Sequence, residues 1–345
     1  MTFLYKEKMI FVVGNSRSGT TMMAKLLSKS GKVHFFGEIH FFEQLWNPEE
    51  KSVLNVEDAK KLAKKLYAIE NEGYLKKIKN LEKWEENAEK LIQHLIDNNM
   101  PLYPYVIFGT FLVLEAKRHN REIPCDQTPR NVFYIKEILE YFPEAKIINM
   151  IRDPRDVLLS QKYKWRLKFA GLEKIPYHEV VRSWLNYNPI TISKLWTSSI
   201  YAYQKHAHED RVLNVYFEQL LSFPEKEIRK ICDFLEIPFE EEMLYVEQIH
   251  SSTEDNKQVK KGLDKTKIGK WKRGGLNNTE IYICQKIAKD LMKKHNYDFA
   301  DVKPNIFLLA YYGITFPLKL SLALIMNLDR MKSLKNAIKR RLKKA

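Results

Sequence analysis

Apolar positions along the chain fall into two periods. Met9–Val13 is an unbroken apolar run closed by Gly14, as a strand buried on both faces reads. From Thr20 the spacing of Met22, Met23, Leu26 and Leu27 marks a helix face, with Gly31 placed to cap its end. Val33–Phe36 reads as the next strand, and Lys146–Ile151 and residues 211–217 repeat the short apolar run. Helical spacing covers Asn131–Tyr141, resumes at Arg155, and returns in SFPEKEIRKICDFL. There Ser222 and Glu225 have capping-box spacing, and Ile228, Ile231, Cys232 and Leu235 share one face. Strands alternating with helices predict an α/β fold, a P-loop-like parallel sheet flanked by helices. AKKLAKKLYAIE and LEKWEENAEKLIQHLI predict a helical insertion within 48–105, placed to cover the site. Residues 1–300 then form the main domain, and 301–345 a hydrophobic and basic helical extension.

That extension changes the picture first. IFLLAYYGITFPLKLSLALIMNL, 306–328, carries a single charge, Lys319, and is long enough to span a bilayer. Pro317 and Lys319 interrupt it, so the expected form is a helix lying on an anionic membrane or packed on a partner. A helix docked on its own domain is the plain alternative. Of the net charge of +15, more than half follows Asp329, where eight Lys or Arg occur with no acid. Such a balance points to an anionic partner, while the main domain is only moderately basic. With 45% hydrophobic and 29% charged residues among 345, widespread disorder is excluded. Cys125, Cys232 and Cys284 lie far apart without a CxxC pair, which argues against a disulfide framework or zinc site and suits a reducing compartment. MTFLYKEKMIFVV shows no signal peptide or N-terminal anchor, so the expected location is cytoplasmic, peripheral at the membrane through the C-terminus.

Two stretches carry chemistry. GNSRSGTT, 14–21, is a phosphate-binding loop at every position but one, because Thr20 stands where the nucleoside-triphosphate pattern has lysine. Backbone N–H groups from Gly14 to Gly19 and the following helix N-terminus make an anion nest. Thr20 and Thr21 add hydroxyls, and Arg17 a guanidinium fork. The missing lysine argues against ATP or GTP hydrolysis, and no strand-end Asp stands out as a magnesium ligand. In INMIRDPRDVLLSQ, 148–161, Arg152 leaves a core strand and Ser160 follows about two helical turns on, a pair suited to a second phosphate. The plainer reading is a strand–helix joint held by Arg–Asp pairs among 152–156. His206 and His208 have two-ligand metal spacing but no third ligand, and read as solvated.

VGNSRSGTTMMAKLL, GEIHFFEQLW, TPRNVFYIKEILEYFPEAKIINMIRDPRDVLLSQ, VYFEQLLSFPEKEIRKICDFLEIPF and IGKWKRG occur in this order. Together they resemble the sulfotransferases that use 3′-phosphoadenosine 5′-phosphosulfate (PAPS), especially the branch of the tyrosylprotein sulfotransferases and their bacterial relatives. The resemblance covers roughly 9–300 apart from the insertion. It implies that Arg17, Ser18, Gly19, Thr20 and Thr21 cradle the 5′-phosphosulfate and that Arg152 and Ser160 bind the 3′-phosphate. Phe217 stands where a strand tyrosine is usual and would pack on adenine. Lys270 and Ser252 match the segment that closes over the nucleotide, with KKG at 260–262 a competing match. Glu38, after Gly37, matches the general base of the tyrosylprotein branch, and His40 would share its face. In CDQTPRN, Gln127 replaces the family's lysine near the bridging oxygen, which leaves leaving-group stabilisation to Arg17 and the loop, or to a cation such as Arg130.

The resemblance thus implies an enzyme that transfers a sulfuryl group from PAPS to an acceptor hydroxyl without a metal, with Glu38 and Arg17 catalytic. The acceptor is left open among carbohydrate, lipid, phenol and peptide. An anionic membrane and a second copy are candidate partners, and nucleic acid is not expected. The rivals are a nucleotide-dependent phosphotransferase on the same scaffold and a non-catalytic membrane or nucleic-acid binding protein.

Overall fold

The computed structural model describes residues 5–74, 80–168, 175–246, 262–328 and Ile338. Five strands form one parallel sheet: β1 (Met9–Gly14), β2 (Val33–Phe36), β3 (Ile123–Asp126), β4 (Ala145–Ile151) and β5 (Val212–Tyr216), in the order β2-β3-β1-β4-β5. β1 is central and buried along its whole length. Its alternation splits the core. Met9, Phe11 and Val13 pack into one hydrophobic layer, and Ile10 and Val12 into the other. Fully burying a side chain of this size stabilises the fold by about 1.5–3 kcal/mol.

On the Ile10 face lie α1 (Thr20–Ser28) and α10 (Pro224–Leu235), with the short α9 (Phe217–Ser222) between β5 and α10. Ile228, Ile231, Cys232 and Leu235 are buried, as their spacing predicts. The Ser222–Glu225 capping box does not form. Ser222 ends α9, so Phe223 occupies the N-cap of α10 without a side-chain bond and Pro224 opens the helix. Likewise α1 is capped by Lys29, two residues before Gly31.

The Phe11 layer is larger. It holds α2 (Val56–Glu72) and α3 (Glu85–Asp97), helices within the 48–105 range, packed on α4 (Pro104–Arg118). α5 (Ile135–Tyr141) follows a 3₁₀ turn, Pro129–Tyr134. α6 (Pro154–Lys162), α7 (Tyr177–Leu185), α8 (Pro189–Gln204) and α11 (Asn278–Lys294) complete the helical side. Here the capping box is real: Asn277 and Glu280 exchange side-chain and backbone bonds at the start of α11. α12 (Ile306–Ile325) runs unbroken through Pro317 and packs on α7 and α8.

Candidate active site

The ends of β1, β3, β4 and β5 and the segment after β2 converge where open parallel sheets hold ligands. Between β1 and α1, Gly14 has φ +142° and Gly19 φ +96°. A Cβ on Gly14 would lie 2.5 Å from the Met150 carbonyl oxygen, and one on Gly19 2.6 Å from the Phe217 ring. β4 at Gly14 and the Phe217 ring at Gly19 therefore press on the loop. Gly19 is the N-cap of α1 and offers no side chain, and no acid lies in the first turn. The positive end of α1 thus faces the loop without a competing carboxylate on its own helix. Ser18 is fully buried, and its Oγ has no hydrogen-bond partner among the described residues.

Arg17 and Arg152 converge on this loop. Arg17 Nε donates to Ser160 Oγ at 2.8 Å, and Arg152 Nη1 donates to the Arg17 carbonyl at 3.3 Å. Arg152 also lies over the Phe217 ring, 4.1 Å from its centroid, and donates to the Lys267 carbonyl at 3.0 Å. Its Nε is buried without a partner among the described residues. Burial, and then the neighbouring Arg152 charge, push Arg17 down to about 10, with Glu38 acting the other way. Two crowded guanidinium groups, an orphaned hydroxyl and an orphaned N–H are what a polyanion would satisfy. The residues present fit a phosphate-bearing donor.

Glu38 follows β2 and hydrogen-bonds His40 Nε2 at 2.9 Å. His40 sits in the left-handed region at φ +56°, so the chain turns there and does not run on extended. Burial alone would raise the Glu38 carboxyl, but the His40 bond and charge, with Lys164 and Tyr74, hold it below the ordinary carboxylate range. The turn is fixed from β3. Thr128 Oγ1 accepts from Ile39 N (3.1 Å) and His40 N (3.3 Å) and donates to Asp126 Oδ1 at 2.8 Å. Asn131 takes the other Asp126 oxygen at 2.7 Å. Asp126 is thus a strand-end carboxylate beside the phosphate loop, which the sequence did not single out. Burial pushes it up to about 7, and both its oxygens are engaged within the protein.

The other sequence-derived candidates divide. Gln127 donates to Thr20 Oγ1 at 3.0 Å, which leaves the Thr20 proton free to point at a ligand. Thr21 follows Thr20 in the first turn of α1. Phe217 opens α9 and does not end β5; its ring is buried between Arg152 and the loop. Lys270 lies in a 3₁₀ turn, Lys270–Arg273, that is pinned to α6: Asp156 accepts from Gly269 N at 2.8 Å and Trp271 N at 2.9 Å. The Arg–Asp joint also exists, since Asp153 caps α6 and pairs with Arg155 at 2.7 Å. Ser252, and Lys260 and Lys261 of KKG, lie outside the described residues. Among the described residues no group of three His, Cys, Asp or Glu could hold a metal ion.

A cavity of about 220 Å³ begins at Gly14–Ser16, Glu38 and His40. Tyr74, Arg130 and Lys164 line it, and it is walled further by α7, α8, Ala323 on the inner flank of α12, and Asn327 in the turn after α12. Neither Tyr74 nor Lys164 was found from sequence. Tyr74 follows α2 and, among the described residues of 48–105, is the one that lines the cavity. Lys164 lies three residues beyond INMIRDPRDVLLSQ and could have been read as a cation near the Glu38 carboxylate.

The model of the sulfotransferase family matches residues 9–241. A protein-tyrosine sulfotransferase of Drosophila melanogaster is 21% identical over 328 residues, which is 90% of this chain and 53% of that protein. Protein-tyrosine sulfotransferase 1 of Danio rerio is 23% identical over 257 residues, 72% of this chain and 59% of that protein. The chain spans about half the length of these curated relatives. Among solved structures, the sulfotransferase domain from the Synechococcus PCC 7002 olefin synthase aligns over 86% of this chain and 97% of that one, with a TM-score of 0.49 and 19% identity.

Proposed function

Because the chain belongs to the sulfotransferase family, we propose that it moves a sulfuryl group from PAPS to an acceptor hydroxyl in the cavity beside Glu38. The observation that carries this reading is the convergence of Arg17, Arg152 and Ser160 on a glycine-constrained loop with Glu38 in the adjoining cavity. The donor, when bound, supplies an activated sulfuryl group and leaves as adenosine 3′,5′-bisphosphate. Arg152 and Ser160 hold the 3′-phosphate, and Arg17, Ser18, Gly19, Thr20 and Thr21 hold the 5′ end. Ser160 exchanges its Arg17 bond for the phosphate. Glu38, ionised, accepts the proton of the acceptor hydroxyl as that oxygen attacks sulfur. Arg17, the loop N–H groups and the Thr20 hydroxyl oriented by Gln127 receive the charge that develops on the departing phosphate. Lys270 and Trp271 close the nucleotide side, with Ser252 a further phosphate contact, and Phe217 supports Arg152 from below. Tyr74, Lys164 and Arg130 set the acceptor's approach.

A thermal melt with adenosine 3′,5′-bisphosphate, set against 5′-AMP, ATP and magnesium-ATP, tests the donor. Ligand at 100 times its Kd should stabilise the fold by about 2.7 kcal/mol. A shift with magnesium-ATP alone would replace this reading with a phosphotransferase. Glu38→Gln should keep the bisphosphate shift and lose turnover.

A further inference from the structure

Two neighbouring helices, α7 and α12, leave apolar stripes exposed. A surface helix ordinarily turns its apolar stripe to the core and its polar face to water. α7 does the reverse: Glu179 and Arg182 are its buried residues and pair with each other, while Tyr177, Val181 and Trp184, at i, i+4 and i+7, are 70%, 51% and 56% exposed. α12 is apolar nearly all round: it buries Leu320 and Ala323 and leaves the rest of its apolar surface uncovered. Its inner flank and the turn that follows it are held by polar contacts about two turns apart: Asn277 Nδ2 to the Tyr312 hydroxyl, Lys319 Nζ to the Tyr187 carbonyl at 3.1 Å, and, after the helix, Asn327 Nδ2 to Asn186 Oδ1 at 3.3 Å. Its outer face presents Phe307, Ile314, Leu318 and Ile325, each more than 60% exposed. Lys319, the one charge in the segment, is therefore spent inward, over the Trp184 ring at 4.9 Å, and the outer face carries none. The Lys319–Trp184 contact also makes the two apolar stripes neighbours.

We propose that the α7–α12 face docks in the plane of an anionic bilayer. The contacts along α12 tie its flank to the body of the protein, which suits a helix lying in the interface better than one crossing it. The choice of an anionic partner comes from the sequence that follows at once: eight Lys or Arg and no acid after Asp329. The same two helices are the wall of the cavity that begins at Glu38, with Glu179, Arg182, Ala323 and Asn327 on its inner side. Docking sets that cavity one helix away from the lipid headgroups.

The experiment is co-sedimentation of the full chain with phosphatidylcholine vesicles, with and without about 30 mol% phosphatidylglycerol, at low and at about 0.5 M salt. The wild type should pellet with the anionic vesicles and less in high salt. Ile314→Ser/Leu318→Ser/Ile325→Ser should lower its partition coefficient at least tenfold while its melting midpoint and its bisphosphate shift stay put. Should that variant misfold, Val181→Ser/Phe307→Ser makes the same test from other turns. Equal binding by variant and wild type, or no binding to either vesicle, overturns the proposal. So does a lipid-free dimer that the variant abolishes, since a second copy would then cover the face. A protein that pellets without a bisphosphate shift keeps the docking face and loses the sulfotransferase reading; a shift without pelleting does the opposite.

Discussion

Gly19→Ala measures how tightly the phosphate loop is held. At φ +96° an alanine bears the left-handed penalty, about 1–2 kcal/mol. Its Cβ would also lie 2.6 Å from a Phe217 ring carbon. That ring has little room to retreat, because Arg152 lies across it and it is itself buried. Overpacking of this kind costs about 1–3 kcal/mol more, so the substitution should destabilise the protein by about 2–5 kcal/mol. With an unfolding entropy of about 2.1 cal/mol/K per residue, a chain of 345 residues loses about 1.4 °C per kcal/mol, hence about 3–7 °C in Tm. The two contributions separate in a double-mutant cycle with Phe217→Ala, read by urea unfolding. In the Phe217→Ala background only the backbone penalty remains, so Gly19→Ala should cost about 1–2 kcal/mol there. An equal cost in both backgrounds would show that the ring does not confine the loop, and the account of Phe217 as its backstop would fail.

Three further outcomes follow from the site. Because the Glu38 carboxyl is held low, the acid limb of kcat/KM should fall below the ordinary glutamate value of about 4.3. His40→Ala removes the largest of the influences that lower it, leaving Lys164 and Tyr74, and should move the limb to higher pH; an unmoved limb refutes the pairing. Thr128→Val deletes the hydroxyl that ties Asp126 to the Ile39 and His40 amides, and should cost about 1–3 kcal/mol of stability. It should also lower kcat while leaving bisphosphate affinity unchanged, and an equal loss of affinity would mean that the two halves of the site are not separately supported. Asp156→Asn leaves one acceptor oxygen for two backbone donors, so the Lys270 segment should loosen and the bisphosphate Kd rise about tenfold, equivalent to about 1.4 kcal/mol. Isothermal titration that finds no change would leave that segment without a part in binding.

Where one period dominates locally, sequence and structure agree: β1, β2, β4, α1, α2, α3 and α10 all lie where hydrophobic spacing puts them. α4 escaped because Pro104–Val113 is buried all round, and a helix with no polar face has no period to read. β3 escaped because IPCD is short, carries a proline and ends on an acid. The residues that the proposed reading assigns to the nucleotide could be named from sequence because they sit on contiguous motifs. The Asp126–Thr128–His40 bridge was not, since it joins positions some 88 residues apart and only the sheet order brings them together. The charge of Lys319 was visible, but not its direction. A composition count reads it as an interruption, whereas the fold turns it against Tyr187.

The position of β1 has one more consequence. To one side of it lie β4 and β5, whose ends carry Arg152 and the approach to Phe217. To the other lie β3 and β2, whose ends carry Thr128 and Glu38, and from which the chain runs on into the helices that bring Tyr74 to the cavity. In the proposed reading the molecule is divided lengthwise, with donor recognition on one flank of the central strand and the base with its support on the other. Such a seam lets the two halves change at different rates. New acceptors can be reached by replacing 40–118 or the helices around α7 and α12, with the nucleotide flank left as it stands. Grafting those segments between homologues should therefore exchange what is sulfated while preserving what supplies the sulfate.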